Sequence, residues 1–203
     1  MPKKSSSSKR SSKRPSKRSS TSSSKRPAKR VSPSEAPSKL LFPDLESELA
    51  TTRRMLERIP NGNDDWRPHT KSRTLGELAT HVAQLPGFAI MMATRDEFDA
   101  MSQRPPEPRF ANSTQRVKFF DDLTAQLRGI LQQMTWDQAR SMWTLRGGDR
   151  VFAKAPRATI LRNVFFTHSA HHRAQLGVYL RLLEVSVPWS YGRSADEEPP
   201  LPI

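Results

Sequence analysis

The chain contains no cysteine. That absence removes a disulfide scaffold, a thiolate zinc site, a cysteine nucleophile and a CxxC redox pair from consideration. It also lacks a long apolar run: the longest, Leu85 to Ala93, is interrupted by Pro86 and Gly87 and falls far short of the ~20 residues that a membrane-spanning helix requires. Glycine-rich phosphate loops are missing as well, because Gly147-Gly148-Asp149 has neither a GxGxxG nor a GxxxxGK[ST] context. There is no GxSxG nucleophile elbow. Before Leu40 there is no Leu, no aromatic residue and only one acid, Glu35. Such a segment has no apolar core for a secretory signal and cannot form the amphipathic helix of a mitochondrial presequence. These absences predict a soluble, cytoplasmic protein with no membrane partner.

What is present divides sharply along the chain. The formal net charge of +14 comes from 34 Lys and Arg against 20 Asp and Glu. Residues 1–39 hold 13 of the bases and one acid, hence +12; residues 40–203 hold 21 bases and 19 acids, hence +2. Apolar residues follow the same division, with four before Leu40 and 66 from Leu40 onward. The composition predicts a disordered Ser/Lys/Arg-rich arm over 1–39 and one globular domain of ordinary size over 40–203. In the arm, Ser-Lys-Arg recurs at Ser8, Ser12, Ser16 and Ser24, and Pro15, Pro27, Pro33 and Pro37 interrupt any helix. Two readings fit it. As a polycation it would bind nucleic acid through phosphates, with steep salt dependence and, lacking aromatics to stack on bases, no sequence preference. As a solvated tail it would have no dedicated partner.

Beyond Leu40 the apolar positions follow helical spacing in four segments. Leu45, Leu49, Thr52, Leu56 and Ile59 form the first, with Asp44 as its expected N-cap and Pro60-Asn61-Gly62 as its stop. The second opens on a Thr74-x-x-Glu77 capping box and runs through Leu78, His81, Leu85, Phe88 and Met92, with a bend expected at Pro86. After a proline-rich loop at Arg104–Pro108, Val117, Phe120, Leu123, Leu127, Ile130 and Met134 give the third stripe. Leu161, Phe165, His168, His172, Leu176, Tyr179 and Leu183 give the fourth. Weak alternation around Trp143–Leu145 and Val151–Ala153, separated by Gly147-Gly148, suggests a short β-hairpin between the third and fourth. The prediction is an all-α four-helix bundle with a long connection before its last helix.

Three of the five histidines occupy positions where a bundle helix normally carries Leu or Phe: His81, His168 and His172. Spacing of i, i+4 puts His168 and His172 on one face about 6 Å apart, close enough to share an ion at metal–nitrogen distances of roughly 2.0–2.1 Å. A third imidazole from a facing helix completes a tripod whose remaining positions stay open to water or substrate, as in catalytic sites. The competing explanation is that each is a hydrogen-bonded core histidine. Three such rings left unpaired in an apolar core would cost about 1–3 kcal/mol each.

The segments Thr74-Leu-Gly-Glu-Leu-Ala-Thr-His81-Val-Ala-Gln-Leu-Pro-Gly87 and His168-Ser-Ala-His-His172-Arg-Ala-Gln-Leu-Gly-Val-Tyr-Leu-Arg181 resemble the two signature helices of the DinB (DinB/YfiT-like) family. Val187-Pro-Trp-Ser-Tyr-Gly-Arg-Ser-Ala-Asp196-Glu resembles the C-terminal segment of many members. The resemblance covers about Leu41 to Glu197; the basic arm departs from the family pattern. It implies a four-helix bundle holding one divalent transition metal, zinc, nickel or iron, on His81, His168 and His172. It leaves the reaction open, since relatives of this fold resemble transferases and isomerases that use low-molecular-weight thiols.

Five residues near the tripod are candidates for orienting ligands or substrate. Glu77 lies one turn before His81, although its capping-box position is a complete local explanation. His171 lies beside His172 but on a rotated line; Arg173 is a candidate for orienting a substrate anion, and Gln175 and Tyr179 for the pocket mouth, Tyr179 also suiting the core. His69, in the loop Trp66-Arg67-Pro68-His69, reads as solvated. Three functions follow as alternatives: a metal-dependent transferase using a small-molecule substrate and a low-molecular-weight thiol, a metal-dependent hydrolase, or a metal-stabilised scaffold whose arm binds nucleic acid. A homodimer is compatible with each.

Overall fold

The computed structural model describes residues 36–102 and 107–199, which belong to the compact unit Pro33–Ile203. The expectations for most of the basic arm and for part of the Arg104–Pro108 loop lie outside the described residues. The described chain opens with a short helix, α1 (Pro37–Leu41), that starts ahead of the boundary expected at residue 40. Helix α2 (Leu45–Glu57) buries Leu49, Thr52 and Leu56, as its spacing predicts, and Met55 beside them, while Leu45 is half-buried. Its N-cap residue is Asp44, but the carboxylate makes no capping bond. It is drawn instead to Arg162, whose guanidinium meets it at 2.6 and 3.0 Å. A charged, two-pronged partner outcompetes a single backbone N–H.

Helix α3 (Leu75–Thr94) begins as the sequence says: Thr74 Oγ1 accepts from Glu77 N at 3.1 Å and Glu77 Oε2 accepts from Thr74 N at 2.7 Å. Gly76 is required there, because a Cβ would lie 2.8 Å from the Asp64 side chain while the Gly76 N–H donates to the Asp64 carbonyl at 3.0 Å. The helix continues through Pro86 as one element. Helix α4 (Ser113–Gln133), capped by Asn112, buries Val117, Phe120, Thr124, Leu127 and Leu131. Thr124 and Leu131 therefore replace Leu123 and Ile130 on the innermost line, and the latter two are half-buried at its side.

The connection before the last helix is more structured than the sequence suggested. Strand β1 (Glu97–Asp99) follows α3 directly, α5 (Trp136–Arg140) follows α4, and then come β2 (Met142–Gly147) and β3 (Arg150–Pro156). The β2–β3 hairpin pairs Trp143 with Ala155 and Leu145 with Ala153, and Gly148 turns it with φ +60°, a conformation that glycine adopts without steric cost. Strand β1 joins β2 in parallel, with Asp99 opposite Arg146, making a three-stranded sheet in the order β1-β2-β3. Arg146 holds β1 in place through Glu97 and Asp99, each at 2.9 Å. Trp143, 1% exposed, anchors the sheet in the core.

The fourth stripe is not one uniform α-helix. A single α-turn, α6 (Arg157–Ile160), leads into a π-helical segment, Leu161–Thr167, and then into α7 (His168–Leu182). Arg157 is buried at its base and donates to the carbonyls of Met92 and Arg95 at the end of α3, satisfying groups a helix end leaves unpaired. The wider i, i+5 turn buries both Phe165 and Phe166. Phe166 stacks on Phe42 at 5.0 Å, and Thr167 Oγ1 donates to the Arg162 carbonyl five residues back. Helices α2, α3, α4 and α7 form the bundle: α3 packs on α4 and α7, and α2 packs on α4 and α7. Among the described residues no helix is long and apolar enough to cross a membrane.

Candidate metal centre

The capping box fixes where α3 begins and so sets the direction in which His81 points, toward α7. His168 is the first residue of α7 after the π segment and His172 stands one turn later. All three rings are half-buried, with the Phe88 ring 6.5 Å from that of His81 as an apolar wall. Their Nε2 atoms converge: His168 Nε2 lies 3.1 Å from His81 Nε2 and 2.7 Å from His172 Nε2. Two bare lone pairs at such distances repel unless a proton or a cation lies between them. His172 Nδ1 meets Gln175 Oε1 at 2.7 Å. An amide oxygen can only accept, so Nδ1 carries the ring proton and Nε2 presents its lone pair.

The electrostatics favour the neutral, ligating form of each ring. Burial, then the positive charge of Arg73 and the neighbouring imidazoles, lower His81 to about 3. Burial followed by the charges of His172, His171 and Arg73 lowers His168. His172 is also lowered, by burial first, although the bond to Gln175 works in the opposite direction. Among the described residues no Asp or Glu oxygen joins this group of nitrogens. An all-imidazole donor set with inward lone pairs fits a divalent transition metal, which holds nitrogen ligands at ~2.0–2.1 Å; a modest opening of the three rings admits one.

The DinB family model matches residues 35–200. The chain belongs to the DinB family. Solved structures agree in fold. A DinB-like protein from Bacillus cereus aligns with a TM-score of 0.60 at 18% identity over 74% of this chain and 95% of that one. The DinB-like protein YjoA from Bacillus subtilis aligns with a TM-score of 0.59 at 18% identity, over 76% and 99%. YfiT from Bacillus subtilis, described as a probable metal-dependent hydrolase with an unusual four-helix bundle topology, gives 0.54 at 16%, over 79% and 94%. Identities this low establish the shared fold only. No curated protein shows significant similarity to the chain.

Around the DinB tripod the structure sorts the other candidates. Glu77 is exposed and spends its carboxylate on the Thr74 N–H, not on His81. His171 is exposed, with its ring 4.9 Å from that of His172 and outside the tripod. Arg173 turns away from the histidines into the α2–α7 interface, 1% exposed. There it meets Glu48 Oε2 at 2.7 Å, Thr52 Oγ1 at 2.9 Å and the Tyr191 hydroxyl at 2.7 Å. Tyr179 is buried edge-on against Trp66, and its hydroxyl donates to the Arg73 carbonyl at 3.2 Å. His69 is exposed in its loop and accepts from the Lys71 N–H. Gln175, expected from the sequence to face the pocket mouth or orient a substrate anion, is the residue that orients a ring. Arg73 had no sequence signal: it lies in no motif, and only the fold brings its charge to all three histidines.

Proposed function

We propose that this DinB protein holds one divalent transition metal, zinc, nickel or iron, on His81, His168 and His172, and acts as a metal-dependent transferase that activates a low-molecular-weight thiol toward a small electrophile. The observation that carries this reading is the convergence of three Nε2 atoms with, among the described residues, no carboxylate oxygen among them. A divalent cation bound there supplies Lewis acidity, which lowers the pKa of a thiol far more readily to completion than that of water. The chain itself contributes orientation and field. Gln175 fixes the His172 tautomer, Phe88 excludes water from one side of His81, and Arg73 adds positive charge that favours an anionic nucleophile. With no cysteine in the sequence and, among the described residues, no carboxylate grouped with the tripod nitrogens, the described site offers neither a nucleophile nor a strong base of its own. In the transfer the thiol proton leaves to bulk water, sulfur bonds to the electrophilic carbon, and the leaving group departs with its electron pair.

Hydrolysis is the second reading, favoured by the description of YfiT as a probable metal-dependent hydrolase. Water needs a base more than a thiol does, and the absence of a neighbouring carboxylate among the described residues weighs against it. The test is a panel of biological thiols against a chlorinated nitroarene, run with metal-loaded, metal-stripped and His168→Ala protein. Thiol transfer requires acceleration in the loaded wild type alone. Equal background rates in all three, for every thiol, would reject it and leave hydrolysis or a metal-stabilised scaffold.

A further inference from the structure

Beside the first turns of α3 and α4 lies an open cleft of about 690 Å³, a volume in the range of small-molecule sites. Glu77, one turn before His81, lines it, so the cleft adjoins the helix of the metal centre without sharing its ligands. Arg116, in the first turns of α4, is the one buried charge on its wall, 2% exposed. Its guanidinium is placed there by two other lining side chains. Nη2 donates to Asp64 Oδ1 at 2.7 Å, and Cζ lies 5.7 Å from the centre of the Phe110 ring. The Nε–H beside that bond is buried and, among the described residues, has no acceptor. A buried charged donor without a partner is costly, and such a group calls for a water or a bound molecule to complete it. The helix end of α3 does not supply the acceptor and offers no free donors of its own. The Leu75 and Gly76 N–H groups donate to the carbonyls of Trp66 and Asp64, and the Glu77 N–H donates to Thr74 Oγ1.

Charge selects the occupant. Arg67 and Arg109 add positive charge to the same wall, but Asp64, Asp65, Glu77 and Glu107 line it too, and a compact multiply charged anion such as phosphate is repelled by four carboxylates. A carboxylate that brings its own ammonium meets both signs. We propose that this cleft binds a zwitterionic α-amino acid, with its carboxylate on Arg116 Nε and its ammonium on the exposed carboxylates of Asp65 and Glu107. The site does not depend on the metal-dependent thiol reading, and either stands without the other.

The experiment reads the anchoring atom itself, as the Arg116 Nε–H cross-peak in nitrogen-15 NMR of the full-length protein. The peak is assigned from its absence in Arg116→Lys or, if that variant does not fold, from side-chain connectivities in wild type. The probes are L-alanine, L-glutamine and L-phenylalanine, each beside the acid lacking the amino group and the amine lacking the carboxylate. Inorganic phosphate is the comparison anion, and about 0.15 M NaCl screens the exposed basic arm. At least one amino acid should move the peak downfield and saturate it, binding about tenfold more tightly than either singly charged analogue. The movement should be the same in zinc-loaded and in chelator-treated protein. The Asp65→Asn/Glu107→Gln variant should bind the amino acid no more tightly than the simple acid, while its own Nε–H peak stays in place. A peak that no amino acid moves, as when an ordered water already fills the position, overturns the proposal. So does a peak that phosphate or the simple acids move at the same concentrations, or one that moves only in the zinc-loaded protein, which would put the amino acid on the metal.

Discussion

Replacing Arg173 with Met should cost stability without emptying the metal site. The guanidinium is 2% exposed and its partner Glu48 14%, so the pair sits beyond most solvent screening. Its bonds run to the Glu48 carboxylate, the Thr52 hydroxyl and the Tyr191 hydroxyl. Removing the cation leaves a nearly buried carboxylate facing apolar packing and two hydroxyls short of a partner. Breaking one side of such a pair typically costs about 3–5 kcal/mol. The residual exposure of Glu48 places the expectation near the lower end, about 3 kcal/mol, a large share of the ~5–15 kcal/mol that holds a domain together. Glu48→Gln should cost a comparable amount, because it strands the arginine. The Arg173→Met/Glu48→Gln double variant should lose much less than the two losses added together, since neither charge then remains buried. Urea unfolding of the four proteins, with metal removed, gives the coupling directly. Metal content of the folded Arg173→Met protein should match wild type. A loss below ~1 kcal/mol with additive singles, or a stable variant that no longer takes up metal, would refute the structural assignment and return Arg173 to the site.

Three other outcomes follow from the same geometry. Gln175→Leu should weaken metal affinity about tenfold in a chelator competition, because His172 loses the bond that fixes its tautomer; an unchanged affinity would show that Gln175 is incidental. Metal-free protein should lose stability as pH falls from about 6.5 toward about 3, since the unfolded chain takes up protons on histidines that the fold holds neutral, and thermal melts of His81→Leu should show a shallower slope. Deleting residues 1–35 should leave helical content and metal uptake intact and, if the arm binds nucleic acid, abolish a sequence-independent DNA binding that wild type loses steeply with salt; equal binding by both proteins would place the basic surface on the bundle.

The bundle and the tripod were legible because each depends on short-range spacing. The capping box needs only Thr74 and Glu77, and the pair on α7 needs only four residues of separation. His81 was found by its position in an apolar stripe. What the sequence hid depends on partners far along the chain. Asp44 looked like a cap until Arg162, 118 residues away, took its carboxylate. Arg173 looked like a site residue because it follows His172, yet on a helix the next residue points about 100° away, and that direction holds Glu48. Strand β1 is only three residues long and exists because β2 offers it an edge, a cause no local pattern carries. Gln175 differs again, since it has a helical spacing from His172 that could have been read as i, i+3.

The π segment ties these observations together. An α-helix turns about 100° per residue and the wider i, i+5 turn somewhat less, so the π segment Leu161–Thr167 shifts the rotation of α7 relative to α6. Both phenylalanines of that segment are buried, Phe166 against Phe42 and Phe165 edge-on against Phe166, and α7 continues from it at His168 in the shifted rotation. That rotation carries His168, His172 and Tyr179 onto one line, while Ser169 and Arg173, one residue further round, face α2. The same turn therefore divides the last helix between two tasks. One face presents imidazoles to His81 across the bundle, and the other supplies the buried cation that holds α7 to α2. A π turn costs backbone hydrogen-bond geometry and is retained mostly at functional sites. Here it lies between the buried phenylalanines and the first histidine of α7, in the turn that sets their relative rotation.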